Sequence, residues 1–245
     1  MKKYRADLHV HTVLSPCAGV EMIPPLIVQE ALAQGINLIA ITDHNATANI
    51  QAVQKAAEGT HLTVLPGIEV QTVEEVHSIC LFDTLDQAYS FQEIVDAALP
   101  PYLNDIDLFG EQFIVDKTGD FIRREERLLL TSTRLTIEEA WECVTDLGGL
   151  FIPAHINRKA FGLIENLGLV PTNIPLEALE ISRHITPEEA KKRFPQIVNY
   201  PLMQSGDVHY LADFLGPMVL ILESPTIPEI RLAFRYKEGR SCQIL

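Results

Sequence analysis

Short, almost wholly apolar runs alternate with amphipathic ones along this chain, and a polar or charged residue follows nearly every run. Residues 4–10, 37–42, 62–70, 76–82, 149–154, 176–181, 202–205 and 218–222 have the length and apolar density of buried strands. Residues 24–34 predict a helix opened by proline and closed by Gly35, and residues 46–58 a helix closed by Gly59. Residues 91–99 are helical in pattern. Residues 137–147 predict an amphipathic helix with Glu138 and Glu139 in its first turn. Repeated strand–helix units with apolar strands predict an α/β fold built on a parallel sheet or barrel. Neither G-x-G-x-x-G nor G-x-x-x-x-G-K-[ST] occurs, so a nucleotide-binding open sheet has no support. The rhythm breaks between Asp83 and Arg134. That stretch holds Pro100-Pro101, an acidic run at 104–107 and a turn at Lys117-Thr118-Gly119-Asp120, which a hairpin of 111–115 and 120–123 would flank. Residues 83–134 thus read as an insertion into one domain spanning 1–245, a candidate lid or oligomer contact.

The polar residues that follow the apolar runs are of few types. In Asp7-Leu8-His9-Val10-His11-Thr12, residues two apart on a strand share a face, so His9 and His11 project side by side and Asp7 joins them. Two imidazoles and a carboxylate suit a divalent transition metal. Further along come Thr42-Asp43-His44-Asn45, Pro66-Gly67-Ile68-Glu69, Glu75-Val76-His77, Pro153-Ala154-His155 and Ser205-Gly206-Asp207-Val208-His209. A barrel enzyme keeps its site at the C-terminal ends of its strands, where these residues fall. A carboxylate bridging two ions holds them ~3.5–4 Å apart, and a water between them loses its proton near neutral pH. Asp7 and Asp43 adjoin candidate ligands, as orienting carboxylates or as ligands themselves. Arg158 and Arg183 are candidate contacts to a substrate phosphate, and His184 a candidate general acid.

The chain carries 33 acidic against 19 basic residues, a formal charge of −14. That balance argues against long nucleic acid, which needs a basic face, and favours a small phosphorylated substrate. No apolar run approaches ~18 residues, and no signal-peptide core precedes the first strand, so no membrane partner is expected. Four cysteines without a CxxC pair suggest reduced thiols in a cytoplasm.

The ordered set DLHVHT, TDHN, GIE, VH, PAH and SGDVH resembles the polymerase and histidinol phosphatase (PHP) family of metallo-phosphoesterases, over residues 4 to about 222. The resemblance implies a distorted (β/α)7 TIM-like barrel with two to three divalent ions at the strand ends. The ions would be manganese, iron or zinc, with magnesium a poorer fit. His9, His11, Glu69 and Asp207 would hold one ion. Glu69 would bridge to a second, completed by His77 and His155, and His44 and His209 would hold a third. Eight residues after His9, where relatives often carry histidine or aspartate, stands Cys17, a ligand suited to zinc or iron. The implied activity is hydrolysis of a phosphomonoester or short phosphodiester by a metal-bridging hydroxide, with Glu69, Asp207 and His184 as catalytic residues. Two rivals stay open: a non-catalytic, metal-stabilised domain with a regulatory role, and an amidohydrolase-like C–N hydrolase.

Overall fold

The computed structural model describes residues 1–245. The first half runs β1 (Lys2–Val10), α1 (Pro24–Ala33), β2 (Leu38–Ile41), α2 (Ile50–Ala56), β3 (Thr63–Gln71), β4 (His77–Leu81) and α3 (Leu85–Ala98). A short helix α4 (Ile106–Phe109) and a hairpin, β5 (Phe113–Val115) with β6 (Phe121–Arg124), follow. Then come α5 (Ile137–Asp146), β7 (Leu150–Pro153), α6 (Leu163–Leu167), β8 (Leu179–Ile181), α7 (Pro187–Arg193) and β9 (Leu202–Gln204). The chain closes with β10 (Met218–Leu222), α8 (Ile227–Phe234) and β11 (Ser241–Ile244).

The main sheet has the order β11-β10-β1-β2-β3-β4-β7. Its centre, β1-β2-β3, is parallel. The parallel pair β8-β9 bridges the two limbs of this sheet. On one side the Ile156 N–H donates to the Glu180 carbonyl at 2.9 Å; on the other His11 and Val208 donate to the carbonyls of Val208 and His9, each at 2.9 Å. The sheet therefore curls into a half-barrel that β8 and β9 bridge, in line with the α/β expectation. Strict strand–helix alternation is interrupted at β4, which a tight turn joins to β3 and which runs antiparallel to both β3 and β7.

Successive residues of β2 bury on opposite sides. Leu38 and Ala40 join the core with Leu8, Ile79, Ile152 and Met203, whereas Ile39 and Ile41 join the helix-facing core with Ile27, Ile50 and Phe91. A strand covered on both faces needs a continuous apolar run, and that is why the pattern of 37–42 was so plain. In β1 the register against β2 shifts between Asp7 and Val10. Tyr4, Ala6 and Leu8 lie in one core and Val10 in the other, so the irregularity re-aims the side chains around it.

Two expected elements differ. The helix expected over 46–58 is confined to Ile50–Ala56. Asn45 is left-handed, φ +49°, and Asn49 spends its side chain elsewhere, donating to the Phe113 carbonyl and accepting from the Val115 N–H. The helix expected over 91–99 starts earlier, at Leu85, because Thr84 and Gln87 form a capping box.

Residues 99–134 are stitched to the barrel top by buried amides. Asn45 donates to the carbonyls of Leu129 and Thr131 at 2.8 and 2.9 Å and accepts from the Gln71 N–H at 3.1 Å. Gln71 donates to Ser132 Oγ at 2.9 Å. Asn45→Ala removes three hydrogen bonds and places a Cβ-bearing residue without a compensating side chain at positive φ. A loss of about 3 kcal/mol is expected in urea unfolding, with faster amide exchange across residues 129–133. A loss under about 1 kcal/mol would show that these bonds do not hold the segment.

Candidate metal centre

Glu69 lies at the meeting point of the strand ends. Its backbone is zipped to the end of β2: Asn45 N–H donates to the Glu69 carbonyl at 2.9 Å and Glu69 N–H to the Asp43 carbonyl at 3.1 Å. Gly67 lets this junction close, since a Cβ there would stand 2.9 Å from Thr42 Cγ2 and 3.0 Å from the Ile41 carbonyl oxygen. The Glu69 side chain is 1% exposed and faces five imidazoles. His9 Nε2, His77 Nδ1 and His155 Nε2 lie 3.2, 3.0 and 3.2 Å from its Oε1. His44 Nδ1 and His11 Nε2 lie 2.8 and 3.5 Å from its Oε2. Asp207 Oδ1 closes the ring, 3.5 Å from His9 Nε2, 3.6 Å from His11 Nε2 and 3.4 Å from His209 Nδ1.

The expected ligands are thus brought together. His44 stands closer to Glu69 and His77 than the expected grouping had it. His11 rather than His44 stacks on His209, with ring centres 4.1 Å apart against 5.9 Å. Asp7 departs from expectation: it does not join His9 and His11. Its carboxylate accepts from the N–H groups of Gly206, Leu215 and Gly216 at 2.8, 3.3 and 3.1 Å, anchoring the loop that carries Asp207 and His209. Gly206 is required there, because a Cβ would meet the Asp213 carbonyl oxygen at 2.5 Å and Asp7 Oδ2 at 2.9 Å. His155 and Asp207 themselves sit at positive φ, +29° and +50°, strain that the surrounding bonds hold in place.

Three of the rings are oriented through Nδ1. Ser15 donates to Asp43 Oδ1 at 2.7 Å and so presents its oxygen to His11 Nδ1 at 2.9 Å. His9 Nδ1 faces Glu180 Oε2 at 3.0 Å, and His209 Nδ1 the Asp207 carbonyl at 2.9 Å. In all three rings Nδ1–H donates to these partners, and Nε2 is the nitrogen left to ligate. Glu180 and Ser15 were not singled out in the sequence. Glu180 had a signal, an acid between two apolar residues of a buried strand; Ser15 had none.

Electrostatics follow from burial and several facing anions: against burial, Glu180, Glu69 and Asp207 hold His9 well above the usual imidazole range, and Glu69 and Cys17 raise His44 to about 10. Burial pushes the Glu69 carboxyl up, but His77, His9 and His44 more than offset it and hold the group well below the usual carboxylate range. Burial, reinforced by the neighbouring imidazoles of His209 and His44, keeps His11 neutral, and burial brings His77 down to about 4. Neutral imidazole is the form that ligates.

Two clefts open onto this cluster. One, of about 340 Å³, is walled by Cys17, His77, Phe109, Leu130 and Phe161, so residues of the 83–134 segment form one side of it. The other, of about 440 Å³, is lined by Arg158, Arg183, His184, Tyr210 and Asp213. Arg158 pairs with Asp207 Oδ2 at 2.6 Å and Arg183 with Asp213 Oδ1 at 2.9 Å. His184 is exposed on the cleft wall.

Three donor sets, His9/His11/Glu69, His44/Glu69/His77 and His11/His44/His209, each have their ligand atoms within 4.8 Å of one another. His9 Nε2, His11 Nε2 and Glu69 Oε2 are buried without a well-formed hydrogen bond. Orphaned atoms of this kind cost about 1–3 kcal/mol each unless something satisfies them, and a mixed imidazole–carboxylate set fits divalent ions of borderline softness.

A model of the PHP domain matches residues 7–154. The chain belongs to the PHP domain family. Over 75 residues this PHP domain is 39% identical to the 5′-3′ exoribonuclease Rnm of Salmonella typhimurium, a stretch covering 30% of this chain and 25% of that enzyme. In fold it is similar to the lesion-specific endonuclease PfuEndoQ from Pyrococcus furiosus, with a TM-score of 0.73 and 21% identity over 98% of this chain and 58% of that one. It is also similar to Endonuclease Q in complex with a 27-mer duplex substrate with an abasic lesion at the active site, at a TM-score of 0.70, 20% identity and the same coverage, 98% and 58%. The chain therefore spans a quarter of the exoribonuclease and rather more than half of the endonuclease.

These relatives correct one expectation. The acidic balance does not argue against long nucleic acid: the PHP fold carries an exoribonuclease and an endonuclease seated on duplex. Net charge misled because it averages over the surface. Asp7, Asp43, Glu69 and Glu180 count towards −14 yet are buried, and bound divalent ions would reverse the local sign. No helix of this PHP domain is long and apolar enough to cross a membrane.

Cys17 gives the test of this geometry. Burial pushes its thiol up, but His44 and His209 beside it more than offset this and bring it down to about 6. Metal-free protein should be alkylated at Cys17 by iodoacetamide at pH 7 far faster than at Cys80, which is buried, its thiol pushed well up by burial. Equal rates at the two sites would contradict the arrangement.

Proposed function

We propose that this PHP domain hydrolyses phosphoester bonds, with divalent ions held around Glu69. The observation that carries this reading is one buried carboxylate shared by five inward-facing imidazoles at the floor of an arginine-lined cleft. His9, His11, Glu69 and Asp207 would hold one ion, Glu69 with His77 and His155 a second, and His44 and His209 with Cys17 a third. The imidazole-rich set favours manganese, iron or zinc over magnesium. Two to three such ions supply Lewis-acid polarisation of a phosphoryl oxygen and activation of a water.

The protein's own groups do the rest. Arg158 turns from Asp207 to a phosphoryl oxygen, which it can grip with two parallel N–H donors. Arg183, held by Asp213, meets the substrate further along the second cleft. His184, exposed on that wall, delivers a proton to the leaving group. Phe109 and Leu130 keep water from the other side. Glu69 and Asp207 act as ligands and do not themselves move protons. The nucleic-acid chemistry named for the exoribonuclease and the endonuclease makes a phosphodiester of a nucleotide chain the substrate class to try first. All four cysteines are free thiols, which suits a reducing compartment such as the cytoplasm.

Metal-loaded protein is expected to hydrolyse bis(p-nitrophenyl) phosphate. Glu69→Gln should lower kcat/KM by about 100-fold or more, the scale of losing a charge-stabilising contact. Arg158→Ala should weaken turnover with metal content unchanged. No turnover of any phosphoester by the loaded wild type, or full activity in Glu69→Gln, would refute the reading.

A further inference from the structure

Glu180 is a buried carboxylate on β8, 1% exposed, to which the hydrolytic reading gives no part. Its Oε2 lies 3.0 Å from His9 Nδ1 and 2.9 Å from the His155 amide nitrogen. Its Oε1 lies 3.3 Å from the same His9 nitrogen. Its own carbonyl accepts the next amide, Ile156 N–H, at 2.9 Å. An ionised carboxylate only accepts, so Nδ1 of His9 carries a proton. That leaves Nε2, which faces Glu69 Oε1 at 3.2 Å and Asp207 Oδ1 at 3.5 Å, as the nitrogen through which His9 can ligate.

The hold on His155 is of another kind. His155 follows β7 at φ +29°, a conformation that a residue with a side chain adopts only when held. Glu180 grips it from two directions, with its side chain on the His155 amide and its main chain on the Ile156 amide. One residue thus sets the tautomer of His9 and the backbone of His155. Both imidazoles present Nε2 to the same oxygen, Glu69 Oε1, each at 3.2 Å, and their rings stack 5.8 Å apart at 19°. His11 has a separate and neutral orienting partner, Ser15, whose oxygen also accepts the His44 backbone N–H at 3.2 Å.

We propose that Glu180 is a positioning residue that couples His9 to His155, so that its loss weakens metal uptake at both ion sites that share Glu69 at once. This rests on the metal-centre reading and does not require hydrolysis. Glu180→Gln keeps the size of the side chain and one accepting oxygen, but puts an N–H₂ donor near the His9 Nδ1–H. Nδ1 of His9 would then lose its acceptor, and the Nε2–H form, which cannot ligate through Nε2, would be favoured.

The test uses metal-free protein with ¹⁵N-labelled histidine and reads the His9 tautomer by long-range ¹H–¹⁵N correlation. Zinc affinity is measured beside it by competition with a chromogenic chelator. Wild type should show His9 with a proton on Nδ1. Glu180→Gln should shift that signal and weaken zinc binding 10–100-fold, the usual effect of losing such a partner. Glu180→Ala should weaken it at least as much, with fewer equivalents bound; should that variant not fold, Glu180→Gln decides alone. His9 found without a proton on Nδ1 in the wild type, or zinc affinity in Glu180→Gln within about two-fold of wild type, would overturn the proposal. A wild type that binds zinc with the expected tautomer yet cleaves no phosphoester would refute the hydrolytic reading and leave this one standing.

Discussion

A carboxylate buried to 1% exposure governs this molecule. An isolated ionised carboxylate in an apolar interior is prohibitively costly, so Glu69 is stable there only if positive or polarised groups surround it. The fold answers with five imidazoles from four strand ends. β1 brings His9 and His11, β2 His44, β4 His77 and β7 His155, each within 3.5 Å of a Glu69 oxygen. Those imidazoles are too close together for all to be charged. Burial keeps His11 and His77 neutral, and the cluster is left with lone pairs and orphaned oxygens facing one another. The same constraint that makes the site costly as a bare protein makes it receptive to divalent ions.

The outer parts follow from the need to hold those strand ends still. Asp43 fixes Ser15, which orients His11; Asp7 ties down the loop that carries Asp207 and His209; Glu180 reaches both His9 and His155. Asn45 and Asn49, beside His44, bind the long segment after α3 over the mouth of the cleft. These polar side chains tie loops, rings and backbone turns around Glu69.

Much of this was legible in the sequence because the local signals were strong. Buried strands such as 37–42 show as unbroken apolar runs, and the residue after each run named the site: His9, His11, His44, Glu69, His77, His155, Asp207 and His209 all converge. What stayed hidden was set by long-range geometry. An irregularity in β1 takes Asp7 away from the histidines beside it. Asn45 leaves the helical region because its amide has partners 84 and 86 residues away, so the expected helix over 46–58 loses its first turn. Glu180 looked like one polar residue in a strand, and its role depends on two histidines far from it in sequence. Net charge failed as a guide to nucleic acid because buried acids contribute to the sum without contributing to the surface that a polymer would meet.

The most direct measurement is anomalous diffraction at the manganese, iron and zinc edges, on crystals of protein purified without chelator. At least two peaks in contact with the Glu69 carboxylate, with further density reached by His9, His11, Asp207, His77 and His155, are expected. A well-ordered Glu69 with no anomalous peak beside it at any of the three edges, after crystals are soaked in each metal, would contradict the view that this buried carboxylate exists to hold ions.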